Sequence, residues 1–243
     1  MTKLYEASNH ILIHAGYTNP AKHSHMAAHI IISLGEKMHI KSDGIDFKCY
    51  GVMVPSGVSH MIDTFGKDAL VFLYDCTTDI ASQIHSIRPI SKEYCKKIIS
   101  DYSNFEKDCA PANYRRFEKS VLTRLGFIRT KHRANDERII SAMKYIRSMS
   151  SENLSCKEVA DAVNLSQSRF SHLFKNQVGM TFAAYLIYQR IMNVYTQTLQ
   201  GKAITEAALE AGFSSSAHFA DVNRRVFGLS ARTITHDLMF IKI

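Results

Sequence analysis

Apolar residues change their spacing along this chain, and the change marks its organisation. Up to about residue 75 they come in short runs ended by turn signals. "HIIISLG", "MHIKSDG", "IDFKCYG" and "VMVPSG" each stop at Gly or at Pro-x-Gly. Such runs read as strands, and many short strands at close spacing predict a small β-barrel or sandwich. From about Thr78 to Gly126 the apolar positions fall three and four apart, so "ISKEYCKKIISDYSNF" and "PANYRRFEKSVLTRLGFI" are expected as helices. Residues 129–138, "RTKHRANDER", hold a single apolar side chain and form the expected linker. The pattern therefore divides the chain into a domain over 1–128 and another over 139–243.

The second part contains a repeat. In "SCKEVADAVNLS" Ser155 is followed three residues later by Glu158, the spacing of a capping box. Val159, Ala160 and Val163 make a small apolar stripe, Asn164 and Leu165 a turn, and Ser166 the cap of a second helix. Phe170, Leu173, Phe174 and Val178 lie on one face of that helix, Ser168, Ser171, His172 and Lys175 on the other, and Gly179 ends it. This is the pattern of a helix-turn-helix. It returns as a supporting helix over Thr205–Ala211, a turn at Gly212, and a helix with Phe219, Val222 and Val226 inside. Ala217, Ala220, Asp221 and Arg224 face outward, and Gly228 is the stop. Between the copies "FAAYLIYQRIMNVYTQTL", Phe182–Leu199, is helical in period and free of Gly and Pro. At ~1.5 Å per residue it makes a strut of ~27 Å, and successive major-groove faces of B-DNA lie ~34 Å apart.

Charge supports the same direction. Lys plus Arg exceeds Asp plus Glu by eight. Before Thr130 there are 16 basic and 13 acidic residues and after it 14 and 9, so the smaller half is the more basic one at +5 against +3. Such an excess favours a polyanionic partner. The five cysteines are scattered, with no C-x-x-C pair, which points away from a disulfide framework and towards a reducing compartment. The N-terminus lacks the pattern of a signal peptide, and no apolar run approaches the ~18 residues that cross a bilayer. A cytoplasmic protein without membrane attachment is expected.

With these residues in view, "EVADAVNLSQSRFSHLFKNQVGMTFAAYLIYQRI" and "ITEAALEAGFSSSAHFADVNRRVFGLS" resemble the DNA-binding domain of the AraC/XylS family of transcriptional regulators, over about Ile139–Thr235. The resemblance implies double-stranded DNA as partner, RNA polymerase as a plausible second one, and no catalytic residues. It implies that the first recognition helix enters the major groove, with Ser168, Ser171 and His172 at base edges and Gln167, Arg169 and Lys175 at phosphates or fixing register. The matching positions of the second helix are Ser216, Ala217, Ala220 and Asp221, with Arg224 and Arg225 near the backbone. Three departures stand out. Asp221 replaces a usually basic or polar residue, Asn223 stands where the family buries a Phe, and the Pro after the last Gly is absent. A buried Asn without partners costs about 1–3 kcal/mol. The second unit is thus expected to be less rigid and the first to carry most of the specificity.

The N-terminal part resembles the cupin barrel over about residues 16–75. "KHSHMAAH" places His23, His25 and His29 two and four residues apart, on one face if extended, and "PSGVSH" adds His60 in a P-x-G-x-x-H motif. The resemblance implies a two-domain α+β protein whose cupin-like barrel senses a small effector and dimerises. His29 takes the place of a Glu in metal-binding cupins, and Gly51 lies closer to Pro55 than the motif asks. The four imidazoles suit Zn²⁺. The preferred reading is an organic effector, with no cofactor required. The helices near Ser91–Phe105 and Pro111–Phe127 match the place of dimer contacts, which nominates Tyr94, Ile98, Tyr102, Phe117 and Val121 for a homodimer. One face is expected to cover the barrel and the other to meet the second subunit. Two rivals are a metal-dependent cupin enzyme and a ligand-independent regulator whose barrel binds another protein. No P-loop, G-x-S-x-G, H-E-x-x-H or Rossmann signature is present, no acidic ligand completes a metal site, and an enzyme has no need of the repeat.

Overall fold

The computed structural model describes residues 2–7, 9–16, 22–24, 27–76, 78–128, 136–149, 154–178, 180–227 and 238–243. Its contacts divide the chain into two compact units. One comprises Met1–Cys76, Ile80–Arg129 and Arg224–Ile243, the other Thr77–Asp79 and Thr130–Asn223.

The first unit begins with β1 (Thr2–Glu6), β2 (His10–Gly16), β3 (Ala28–Ser33), β4 (Met38–Ser42), β5 (Ile45–Cys49), β6 (Gly51–Val54), β7 (His60–Asp63) and β8 (Asp68–Tyr74). A short α1 (Asp79–Ser82), β9 (Arg88–Ile90), α2 (Lys92–Glu106) and α3 (Pro111–Arg124) follow, and the last strand, β10 (Leu238–Lys242), joins them. The strands form a seven-stranded sheet in the order β10-β1-β2-β8-β3-β6-β9 and a separate three-stranded sheet in the order β5-β4-β7. The expected closed barrel does not form. Alternating apolar positions tell which residues share a face, and a barrel and a pair of layered sheets alternate alike. Here β9 and β10 end the large sheet, and no ladder among the described residues joins them.

Helices α2 and α3 cover one face of the large sheet. Ala28, Ile30 and Ile32 of β3 and Leu70, Phe72 and Tyr74 of β8 share one face, and these residues cluster with Cys95, Ile98, Tyr102 and Phe105 of α2 and Tyr114, Phe117, Val121 and Leu122 of α3. Phe105 stacks on Phe117 at 5.7 Å, and Phe117 reaches Phe72 at 5.8 Å. Gly51 lets α2 come close, because a Cβ there would lie 2.7 Å from the Cys95 sulfur. On the sheet's other face Ile11, Ile13, Ile31, Val71 and Leu73 are buried as well. This packing corrects the subunit-contact expectation. Ile98, Tyr102, Phe117 and Val121 are at most 3% exposed and belong to the chain's own core, which leaves Tyr94, 42% exposed, as the accessible one of the five.

The C-terminal part is not wholly helical either. β10 lies parallel to β1, with Thr2 opposite Leu238 and Glu6 opposite Lys242. Ile241 and Ile243 pack against the core beneath α2 and α3. The apolar "LMFIKI" thereby covers an edge strand that would otherwise present unpaired backbone groups.

The second unit is helical: α4 (Glu137–Ser148), α5 (Cys156–Ala162), α6 (Gln167–Val178), α7 (Phe182–Leu199), α8 (Ile204–Glu210) and α9 (Ser216–Phe227), the last turn of α9 falling at the division between the units. The linker reading falls mostly on residues 129–135, outside the described residues. At its end Asp136 caps α4, and Glu137 and Arg138 are already helical. No helix among the described residues is long and apolar enough to cross a membrane.

Candidate nucleic-acid interface

Each supporting helix ends by the same device. The N–H of Asn164 bonds to the carbonyl of Asp161 and that of Leu165 to Ala160. In the second copy Gly212 bonds to Leu209 and Phe213 to Ala208. These are paired Schellman bonds, which need a left-handed residue just past the helix. Asn164 (φ 55°) and Gly212 (φ 84°) supply it. The copies are not identical in length. α5 and α8 start 48 residues apart and α6 and α9 start 49 apart, so the second turn holds one more residue.

Serines then start the recognition helices. Ser166 Oγ accepts from the Arg169 N–H at 3.3 Å, and Ser215 Oγ from the His218 N–H at 3.0 Å. Ser155 and Glu158 make the expected capping box on α5. Phe170 and Phe174 are fully buried, with Val178 nearly so, and Phe219 and Val222 do the same in α9. That leaves Gln167, Ser168, Arg169, Ser171, His172 and Lys175 exposed along α6. On α9 Ala217, Ala220, Asp221, Arg224 and Arg225 are exposed and Ser216 is half-buried. Gly179 and Gly228 lie outside the described residues.

The strut has the limits expected of it, Phe182–Leu199, capped by Thr181, whose Oγ1 accepts from the Ala184 N–H at 3.2 Å. It is a core element and not an exposed rod. Tyr185, Ile191, Val194 and Tyr195 are wholly buried. At one end Tyr185 packs on Phe174 at 5.4 Å and receives a hydrogen bond from Arg147 of α4. At the other Tyr195 meets Phe219 edge-on at 6.1 Å and donates to Asn223 Oδ1 at 2.5 Å. Each recognition helix is thus anchored to the same helix by an aromatic pair. Asn223, 0% exposed, has a partner, which corrects the expectation of an unsatisfied amide. No spacing rule could have paired Tyr195 with Asn223 in advance. His218 was missed as well, because it lies beside the stripe chosen as the outer face.

The histidines also converge. His23 and His60 exchange backbone hydrogen bonds at 2.9 and 2.8 Å, their rings lie 4.7 Å apart, and the His29 ring is 5.3 Å from that of His60. His60 Nδ1 donates to the Val58 carbonyl at 2.7 Å. Burial pushes His60 down to about 4, against the pull of that carbonyl and with a small push from His23, so the ring is held neutral. His25 lies outside the described residues. Among those described, no group of three or more His, Cys, Asp and Glu side chains is placed to hold a metal ion.

A family model described as a helix-turn-helix domain matches residues 159–236. A protein named probable transcriptional regulator LumQ, from Photobacterium leiognathi, is 32% identical over 88 residues, 35% of this chain and 35% of that protein. Uncharacterized HTH-type transcriptional regulators of Staphylococcus aureus are 34% identical over 87 residues, 35% of this chain and 12% of theirs. The matches thus span about a third or less of these relatives. Among solved structures, ToxT from Vibrio cholerae O395 aligns with a TM-score of 0.53 over 94% of this chain and 99% of that one, at 10% identity. A ToxT crystal structure with bound unsaturated fatty acid gives 0.51 at 11% identity, over 95% and 97%. At such identities the likeness is one of fold: sheets first, helices after. The chain therefore carries a helix-turn-helix domain at residues 159–236, in the region where it is similar to proteins named as transcriptional regulators.

Proposed function

We propose that this chain is a sequence-specific DNA-binding regulator of transcription that lays α6 and α9 into two successive major-groove segments. The observation that carries this reading is the pair of capped helices with exposed polar faces, both anchored to one continuous helix. In this reading Ser168, Ser171 and His172 meet base edges, while Gln167, Arg169, Lys175, Arg224 and Arg225 hold phosphates or register. Ser216, Ala217, Ala220 and Asp221 form the second face. The working boundary stays at residues 129–138, with 1–128 as the sensing part and 139–243 as the DNA-binding part, apart from the returning strand β10. RNA polymerase is the expected partner of a bound activator, and the cytoplasm the expected location.

For the N-terminal unit we favour an organic effector over a metal. The fold shared with ToxT, of which one structure holds an unsaturated fatty acid, supports this. His23, His29 and His60, with His25 nearby in sequence, are the proposed contacts. Homodimerisation remains part of the proposal, with Tyr94 as the exposed member of the nominated set. The test is retention of duplexes from a random pool by the full chain across a salt series. Four phosphate-bound cations predict a slope of log affinity on log salt of about −3.6. Failure to retain any duplex at low salt contradicts the reading.

A further inference from the structure

The second recognition helix lacks an obvious donor at the three positions that match Ser168, Ser171 and His172 of the first. Ala217 and Ala220 carry no hydrogen-bonding group on their side chains, an ionised Asp221 only accepts, and Ser216 is half-buried. His218 lies among them, exposed, at the position 49 residues after Arg169. Its Nδ1 is 3.3 Å from the Ser214 backbone nitrogen and 2.9 Å from Ser214 Oγ. A backbone N–H can only donate, so Nδ1 is the acceptor, and the proton of the neutral ring resides on Nε2. The ring rests edge-on against Phe213 at 5.6 Å. Phe213, 5% exposed, is itself held by the Schellman bond to Ala208. The His218 main chain is tied to Ser215.

We infer that His218 is a specificity or register residue of the second unit: a preset Nε2–H donor for a hydrogen-bond acceptor on the duplex, either a base edge or a phosphate oxygen. The inference rests on the DNA-binding reading above and adds one contact to it. Because ring and main chain are both fixed in the free protein, little side-chain freedom is left to lose on binding. The one-residue-longer second turn acquires a role here, since it brings Phe213 and Ser214 to the imidazole.

The test uses the full chain and the duplex it enriches from a random pool of about 30 base pairs, long enough for two groove segments. His218→Phe keeps a ring against Phe213 and removes the donor. Affinity should fall about fivefold to tenfold, the net worth of one hydrogen bond, with protection of the segment read by α6 retained. Relaxed preference at one base pair identifies a base edge, and a uniform loss across sequences identifies a phosphate; either supports the donor. Long-range ¹H–¹⁵N spectra of the free chain should show the Nε2–H tautomer. An Nδ1–H tautomer, or unchanged affinity and motif in His218→Phe, overturns the inference. A wild-type chain that enriches no duplex defeats the DNA-binding reading itself, a separate outcome.

Discussion

Tyr195 donates a 2.5 Å hydrogen bond to the buried amide oxygen of Asn223, so the strut helix and the second recognition helix are joined by a polar contact inside an apolar core. Burial raises the Tyr195 hydroxyl far above its ordinary range, against the lowering effect of Asn223, so it stays a donor at every working pH. The first unit solves the same problem with Phe174 against Tyr185. The two units are related in layout but differ in what fixes each helix to the strut.

Tyr195→Phe removes the donor and leaves the amide oxygen in place. The expected cost is about 1–3 kcal/mol, the penalty of losing a partner in the interior. Adding Asn223→Leu to that variant should recover part of the loss, because apolar replacement of both partners approaches neutrality. Urea unfolding of both variants checks this, and equal loss in both contradicts it.

Acid should weaken the N-terminal unit through His60. Its folded value, about 4, lies below the ordinary value of about 6.5. As pH falls below 6.5 the unfolded chain takes up the proton first, so stability is full above that pH and declines towards pH 4. The loss is bounded at about 3 kcal/mol. His60→Gln should flatten this decline in thermal melts compared at pH 7.5 and 5. An equally steep decline in the variant contradicts the assignment.

Removing residues 238–243 uncovers the edge of β1 and withdraws Ile241 and Ile243 from the core beneath α2 and α3. An open edge strand invites pairing with another chain. The truncated chain should melt several degrees lower and scatter more light on concentration. A truncation with unchanged melting and no association would contradict the role given to β10.

Much of the helical half is legible in the sequence. The strut limits, the Ser155–Glu158 capping box and the buried phenylalanines follow from local spacing, which is what sequence carries best. What failed depended on distant partners. The dimer stripe of Ile98, Tyr102, Phe117 and Val121 is spent on the sheet, because an apolar stripe does not say what covers it. The barrel became an open sheet because alternation is blind to closure. β10 was missed because its partner lies at the other end of the chain. The histidines were found by motif and do converge, though the motif is silent on what they hold.

Within the proposed interface His172 should matter more than Asp221. His172 sits on the exposed face of α6 and can share a hydrogen bond with a groove edge, whereas the Asp221 carboxylate repels phosphates. His172→Ala should lower affinity for the enriched duplex by about tenfold, and Asp221→Ala should lower it less or raise it. Measured dissociation constants in the opposite order refute the ranking.

In the proposed reading one chain reads two groove segments set one helical turn apart by the continuous helix α7. Affinity should therefore be measured as the two half-motifs of the enriched duplex are moved apart. An optimum is expected at a separation of about 10 base pairs, with a loss of at least about tenfold when about five more are inserted, which turns the second segment to the far side of the duplex. Affinity indifferent to that insertion would contradict this reading.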